Sequence, residues 1–220
     1  MQIKIDMKIL IFLLIFQITG QIQIYILLMI FACLHELSHM IIGSILGFKP
    51  TTFEVKPIGF SVSFYNVIKD YSKKIRKGNL LEFKRIFVYL AGPLSNLIIA
   101  VILFGINIDF FVKQEIMYIN LIIAMVNLLP IYPLDGGRIV KSLIHILFGL
   151  RQSYIITERI SWAVTIIILA SASLFILKVK NFGLLAMLVY LLAIRIIEGD
   201  RMNKKLKLYD ALSTEKENCY

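Results

Sequence analysis

Apolar residues in this chain come in blocks, such as ILIFLLIF at 9–16 and LIIAVILF at 97–104, separated by shorter polar stretches. Blocks of that kind are what a bilayer requires, because a helix needs about 20 predominantly apolar residues to cross the hydrocarbon core. Six of them, at about 8–20, 23–47, 86–107, 115–130, 154–177 and 181–197, predict an all-α polytopic membrane protein with about six transmembrane helices. After the second block the period changes. TTFEVKPIGFSVSF alternates apolar and polar positions through Phe53, Val55, Phe60, Val62 and Phe64, with Pro57 and Gly59 at a natural turn. That pattern predicts a small β-hairpin at about 51–65. A lone hairpin is only marginally stable in water, so it is expected to pack on the membrane-embedded part.

The remaining stretches are connectors. VIKDYSKKIRKGNLLEFKR reads as a charged cytoplasmic loop over about 66–85, and residues 201–220 read as a polar, disordered cytoplasmic tail. Residues 1–200 then form one integral membrane domain. Lys4 and Lys8 ahead of the first block suit a signal peptide, but TGQIQ beyond it offers no small-x-small cleavage site, so a retained helix is expected.

Composition agrees with the blocks. The 220 residues are 59% hydrophobic and 17% charged, against about 25% charged in ordinary soluble domains. The net charge of +10 raises nucleic acid as a partner, but its placement points elsewhere. Lys69, Lys73, Lys74, Arg76, Lys77, Lys84 and Arg85 lie between the second and third blocks. Arg138, Lys141, Arg151 and Arg159 follow the fourth, and Arg201, Lys204, Lys205 and Lys207 the sixth. The intervening loops carry little charge, so the positive-inside rule puts both termini and the two long loops in the cytoplasm. No aromatic–basic interleaving accompanies the charge, and no nucleic-acid partner is expected; the basic surplus instead suits anionic lipid headgroups. Cys33 and Cys219 give no disulfide framework, the first reading as a buried apolar residue.

One block breaks its own pattern. FACLHELSHMII sets His35, Glu36 and His39 among apolar neighbours. Ionisable groups inside a span are costly unless paired, cavity-facing or metal-bound. Residues four apart project from one helix face at adjacent turns, so the two imidazoles can reach a single tetrahedral Zn²⁺. Glu36 points in a different direction, beside the metal's open position, where a carboxylate can act as general base on an activated water.

A catalytic zinc takes a third protein ligand. His145, Glu54 and Asp70 are available, but Asp135 in NLLPIYPLDGGRIV stands out. Pro130 and Pro133 break the fourth block and Gly136–Gly137 permit a tight turn. Broken backbone at membrane depth is tolerated only where protein buries it or it lines a cavity. An ordinary cytoplasmic turn is the other reading of that loop.

HELSH at 35–39, AGPLSN at 91–96 and NLLPIYPLDGG at 127–137, in that order on successive spans, resemble the site-2 proteases, the intramembrane zinc metalloproteases of peptidase family M50. The nearest likeness is to the subgroup of stage IV sporulation protein FB. The resemblance implies a catalytic core over about 23–150, one Zn²⁺ per chain on His35, His39 and Asp135, and Glu36 as the base. It implies that Asn96 and Asn127 contact substrate, with Ala91 and Ser95 letting helices approach closely. It also implies that the hairpin pairs edge-on with an unwound substrate.

The implied substrate is a membrane-tethered protein such as a pro-sigma factor, cut during sporulation in the membrane around the forespore, with membrane inhibitory proteins as further partners. One departure stands out: longer sporulation members carry a C-terminal CBS domain, and here only the short tail follows the last block. A rival reading, a zinc transporter or metal-sensing membrane protein, would need ligands along a pathway and repeat symmetry between halves, and neither is visible.

Overall fold

Burial in this chain runs opposite to that of a water-soluble protein. In the computed structural model, the helix carrying HELSH buries Tyr25, His35, Glu36, His39 and Gly43 while Ile24, Ile30, Ile41 and Ile45 stand exposed. Apolar side chains outward and polar ones inward is the arrangement that hydrocarbon surroundings favour. The structure describes residues 2–65, 75–105, 110–179 and 182–217. In chain order the elements are β1 (Gln2–Ile5), α1 (Ile9–Ile18), α2 (Ile22–Ile45), β2 (Lys49–Lys56), β3 (Gly59–Tyr65), α3 (Ile75–Gly105), α4 (Phe110–Leu128), α5 (Asp135–Val179) and α6 (Phe182–Glu217). They fall into two compact units, Met1–Leu128 and Leu129–Tyr220.

Among the described residues, three helices are long and apolar enough to cross a membrane: Ile22–Ile45, Asn79–Gly105 and Asp135–Ser171. Each of the six apolar blocks falls on a helix, but α1 has only 10 residues and so a length of about 15 Å.

In the first unit the expected hairpin is present and extended. β2 and β3 pair antiparallel, and β1 adds to β2 in parallel, giving the order β1-β2-β3. β1 went unread in the sequence because QIKI is four residues long and gains its hydrogen bonds only from a strand some fifty positions on. Lys56 pairs with Gly59, leaving Pro57–Ile58 as the loop, and Gly59 takes a φ of 117° that a side chain would resist.

The sheet is anchored on α2. The Tyr25 hydroxyl donates to the Pro57 carbonyl at 2.7 Å, and the Phe64 ring lies where a Cβ on Gly43 would be. Phe16 of α1 stacks on Tyr25 with ring centroids 4.7 Å apart. Lys84 of α3 donates to the Leu46 carbonyl at the end of α2, a cation at a helix C-terminus.

Two connector expectations change. Of the loop expected over 66–85, residues 66–74 lie outside the described residues, and Ile75 onward is already α3. The charged turns at its start are held by pairs such as Glu82–Arg85, which alternation of apolar blocks does not reveal.

In the second unit the proline-broken segment is non-helical from Leu129 to Leu134, and Asp135 opens α5. Gly149, at φ 83° and ψ 174°, interrupts α5. α6 continues as helix to Glu217, through most of the stretch expected to be a disordered tail. KKLKLYDALSTEKE is polar but rich in good helix formers, so polarity there did not signal disorder.

Candidate metal centre

The site is built around two turns of α2. His35 and His39 are both buried, each 5% exposed, with ring centroids 4.8 Å apart and Nε2 atoms separated by 3.2 Å. Their outer nitrogens decide their chemistry. Nδ1 of His39 lies 2.6 Å from the Val88 carbonyl oxygen, which can only accept, so that nitrogen carries a proton.

The same conclusion for His35 follows through two asparagines. Asn120 Nδ2 donates to the Ile116 carbonyl at 2.9 Å, which fixes its amide orientation. Its Oδ1 then accepts from Asn96 Nδ2 at 2.9 Å, and Asn96 Oδ1 accepts from His35 Nδ1 at 2.7 Å. Both rings therefore carry a proton on Nδ1, and in the neutral tautomer each offers its Nε2 as a metal ligand, the two atoms lying 3.2 Å apart. Two nitrogens each about 2.0–2.1 Å from a tetrahedral zinc would be roughly 3.3 Å apart. The donor set fits zinc.

α3 makes room for the rings and holds both of them, through Val88 and Asn96. A Cβ on Gly92 would collide with Nε2 of both histidines, so only glycine lets α3 approach here. Next to it, Pro93 sits inside the helix without an N–H of its own. Glu36 is buried on the adjacent face of α2, and its Oε1 accepts from the Val62 N–H of β3. The candidate base is thus held by an edge strand of the sheet.

Asp135 is buried at the first turn of α5, where a carboxylate also suits the positive end of the helix dipole. His35 and His39 in the first unit and Asp135 in the second are each buried and each offer a ligand atom suited to a metal ion.

The other residues named from the sequence fall as follows. Asn96 is fully buried with both ends of its amide engaged, by His35 and Asn120, which makes it an orienting group for the histidine. Asn127 donates to the Ile123 carbonyl of its own helix, and Ser95 likewise bonds back to Gly92. His145 is half-buried on α5, Glu54 of β2 pairs with Lys56, Cys33 is half-buried, and Asp70 lies outside the described residues. Sequence reading passed over Asn120 and Gly92. An asparagine alone in YINLII was the available signal for the first; the second was inside a quoted motif but was passed over for its neighbours Ala91 and Ser95.

Comparison with known proteins finds three similarities. Residues 106–172 match the model of peptidase family M50. That match contains the NLLPIYPLDGG run and most of α5, and it lies beyond HELSH. Over 209 residues the chain is 26% identical to a zinc metalloprotease of Methanocaldococcus jannaschii, an alignment covering 86% of this chain and 55% of that protein. The chain therefore spans about half the length of the curated relative it matches. The solved site-2 protease from the same organism is similar in fold, with a TM-score of 0.57 at 26% identity, covering 86% of this chain and 87% of that one.

Proposed function

We propose that this chain is an intramembrane zinc metalloprotease of the site-2 type, with one zinc held by His35, His39 and Asp135 and with Glu36 as general base. The observation that carries the reading is the imidazole pair: both Nδ1 protons are committed to Val88 and Asn96, so two Nε2 lone pairs converge beside a buried glutamate. Bound there, zinc would supply Lewis-acid polarisation of a substrate carbonyl and acidification of a water. Three protein ligands leave a fourth position for these.

The chain's own residues do the rest. Glu36 accepts a proton from the attacking water and returns it to the leaving amine. The Val62 N–H bond to Glu36 puts an outward-facing part of β3 beside the base, and an unwound substrate segment pairing along that edge would bring its carbonyl to Glu36. Asn127, in the last turn of α4 ahead of the broken loop, is assigned a contact with the same segment.

The substrate is a membrane-tethered protein, and resemblance to the sporulation subgroup supports a pro-sigma factor, with inhibitory membrane proteins as regulators around the forespore. Alternating basic loops support six spans with both termini cytoplasmic.

Glu36→Gln tests the reading. Reconstituted with a membrane-tethered peptide, the variant should retain zinc and lose cleavage by at least about a hundredfold, the scale of a general-base contribution. Retained cleavage would remove Glu36 from its role. Zinc uptake into sealed vesicles without cleavage would replace the protease with a metal transporter.

A further inference from the structure

We propose that Ser161 is a positioning residue for Asp135, acting through the proline-broken loop that precedes it; the inference rests on the metal-centre reading above. Prolines create the need for it. Between Pro130 and Leu134 the loop has three N–H groups, since Pro130 and Pro133 have none. The Ile131 amide bonds the Leu129 carbonyl at 2.7 Å, and the Leu134 amide bonds the Ile131 carbonyl at 2.7 Å. Tyr132 is the remaining one. Its N–H donates to Ser161 Oγ at 2.9 Å, from 29 positions along the chain.

Ser161 is fully buried, and its hydroxyl oxygen also lies 3.5 Å from the Pro130 carbonyl oxygen, an acceptor at the outer limit of hydrogen-bond reach. One side chain therefore touches both a donor and an acceptor of the non-helical loop. At membrane depth an amide of this kind has no water to turn to. On its other side the loop is pressed against Gly137, where a Cβ would overlap the backbone of Ile131 and Tyr132. The loop is thus clamped between the first turn of α5 and a residue beyond the Gly149 break, and Asp135 follows directly from it. Glycine at 137 is a requirement of that clamp.

A serine in an apolar helix ordinarily bonds back to its own backbone, and Ser153 of the same helix does so, donating to the Leu150 carbonyl at 2.6 Å. Ser153 is also fully buried, so it serves as a control of equal burial without loop contact.

The test measures Co²⁺ or Zn²⁺ affinity by chelator competition, the Co²⁺ ligand-field spectrum, and exchange of the Tyr132 amide, in full-length protein in lipid nanodiscs. Ser161→Ala should expose the Tyr132 amide to faster exchange and weaken metal binding by about 10- to 100-fold, the scale seen when a ligand's orienting partner is lost. The Co²⁺ spectrum should lose its tetrahedral intensity, and Ser153→Ala should alter none of these. Should Ser161→Ala fail to insert, Ser161→Cys keeps the volume with a poor hydrogen-bonding group and takes its place. Unchanged metal affinity in the Ser161 variant, or an equal loss in Ser153→Ala, overturns the inference. A wild-type protein that binds no metal instead overturns the metal centre itself.

Discussion

At the scale of the residue, protons decide what the centre can be. The Ile116 carbonyl orients Asn120, Asn120 orients Asn96, and Asn96 holds the proton of His35 on Nδ1. A carbonyl at the far end of two amides thereby keeps an Nε2 lone pair available for metal. Asn96→Leu removes the acceptor and is expected to lower zinc affinity by about 10- to 100-fold. Asn96→Asp keeps an acceptor for the imidazole N–H and should lose less. Chelator competition on the purified variants measures both, and equal affinity in wild type and Asn96→Leu would separate the asparagine from the site. The pairing of His35 and His39 was legible in the sequence because a four-residue spacing fixes a shared helix face whatever surrounds it. The family resemblance implied a substrate contact for Asn96; its bond to His35 was not legible, because that contact joins positions 61 apart and no local pattern encodes it.

At the scale of the element, the blocks and the alternating hairpin could be read because each has its own period. What failed to show were features that depend on a distant partner: β1, stabilised by β2, and the ion pair between α5 and α6. Arg195 is 1% exposed, its Nη2 lies 3.0 Å from Glu158 Oε1, and Trp162 Nε1 donates to the same oxygen at 3.0 Å. The Arg195 guanidinium also sits 5.0 Å from the centre of the Trp162 ring. Among the described residues, Nε and Nη1 of Arg195 and Oε2 of Glu158 have no hydrogen-bond partner. Removing one partner of a buried ion pair leaves an uncompensated charge and costs about 3–5 kcal/mol. Glu158→Gln should therefore lower the midpoint of thermal unfolding in detergent, while Glu158→Leu with Arg195→Met should recover much of the loss. A midpoint unmoved by Glu158→Gln would show that the arginine finds its compensation elsewhere. Gly199 belongs to the same packing, since a Cβ there would meet both Arg195 and Glu158.

At the scale of the whole molecule, the distribution of charge carries information that its total of +10 does not. The basic residues collect between the second and third apolar blocks, after the fourth and after the sixth, whereas TGQIQ carries no charge. Moving lysine and arginine across a membrane against the potential is unfavourable, so these clusters are expected to remain cytoplasmic. The orientation has a built-in reporter. Cys219 lies beyond the last basic cluster, and Cys33, the other cysteine, is half-buried in an apolar helix. A membrane-impermeant maleimide applied to intact cells should leave Cys219 unlabelled, and the same reagent on inverted vesicles should label it fully. Carrying Cys33→Ala in both samples removes the only competing thiol. Labelling in intact cells would place the C-terminus outside and reverse the basic loops with it. The basic face would then meet the opposite leaflet, and the expectation of cytoplasmic termini would fall.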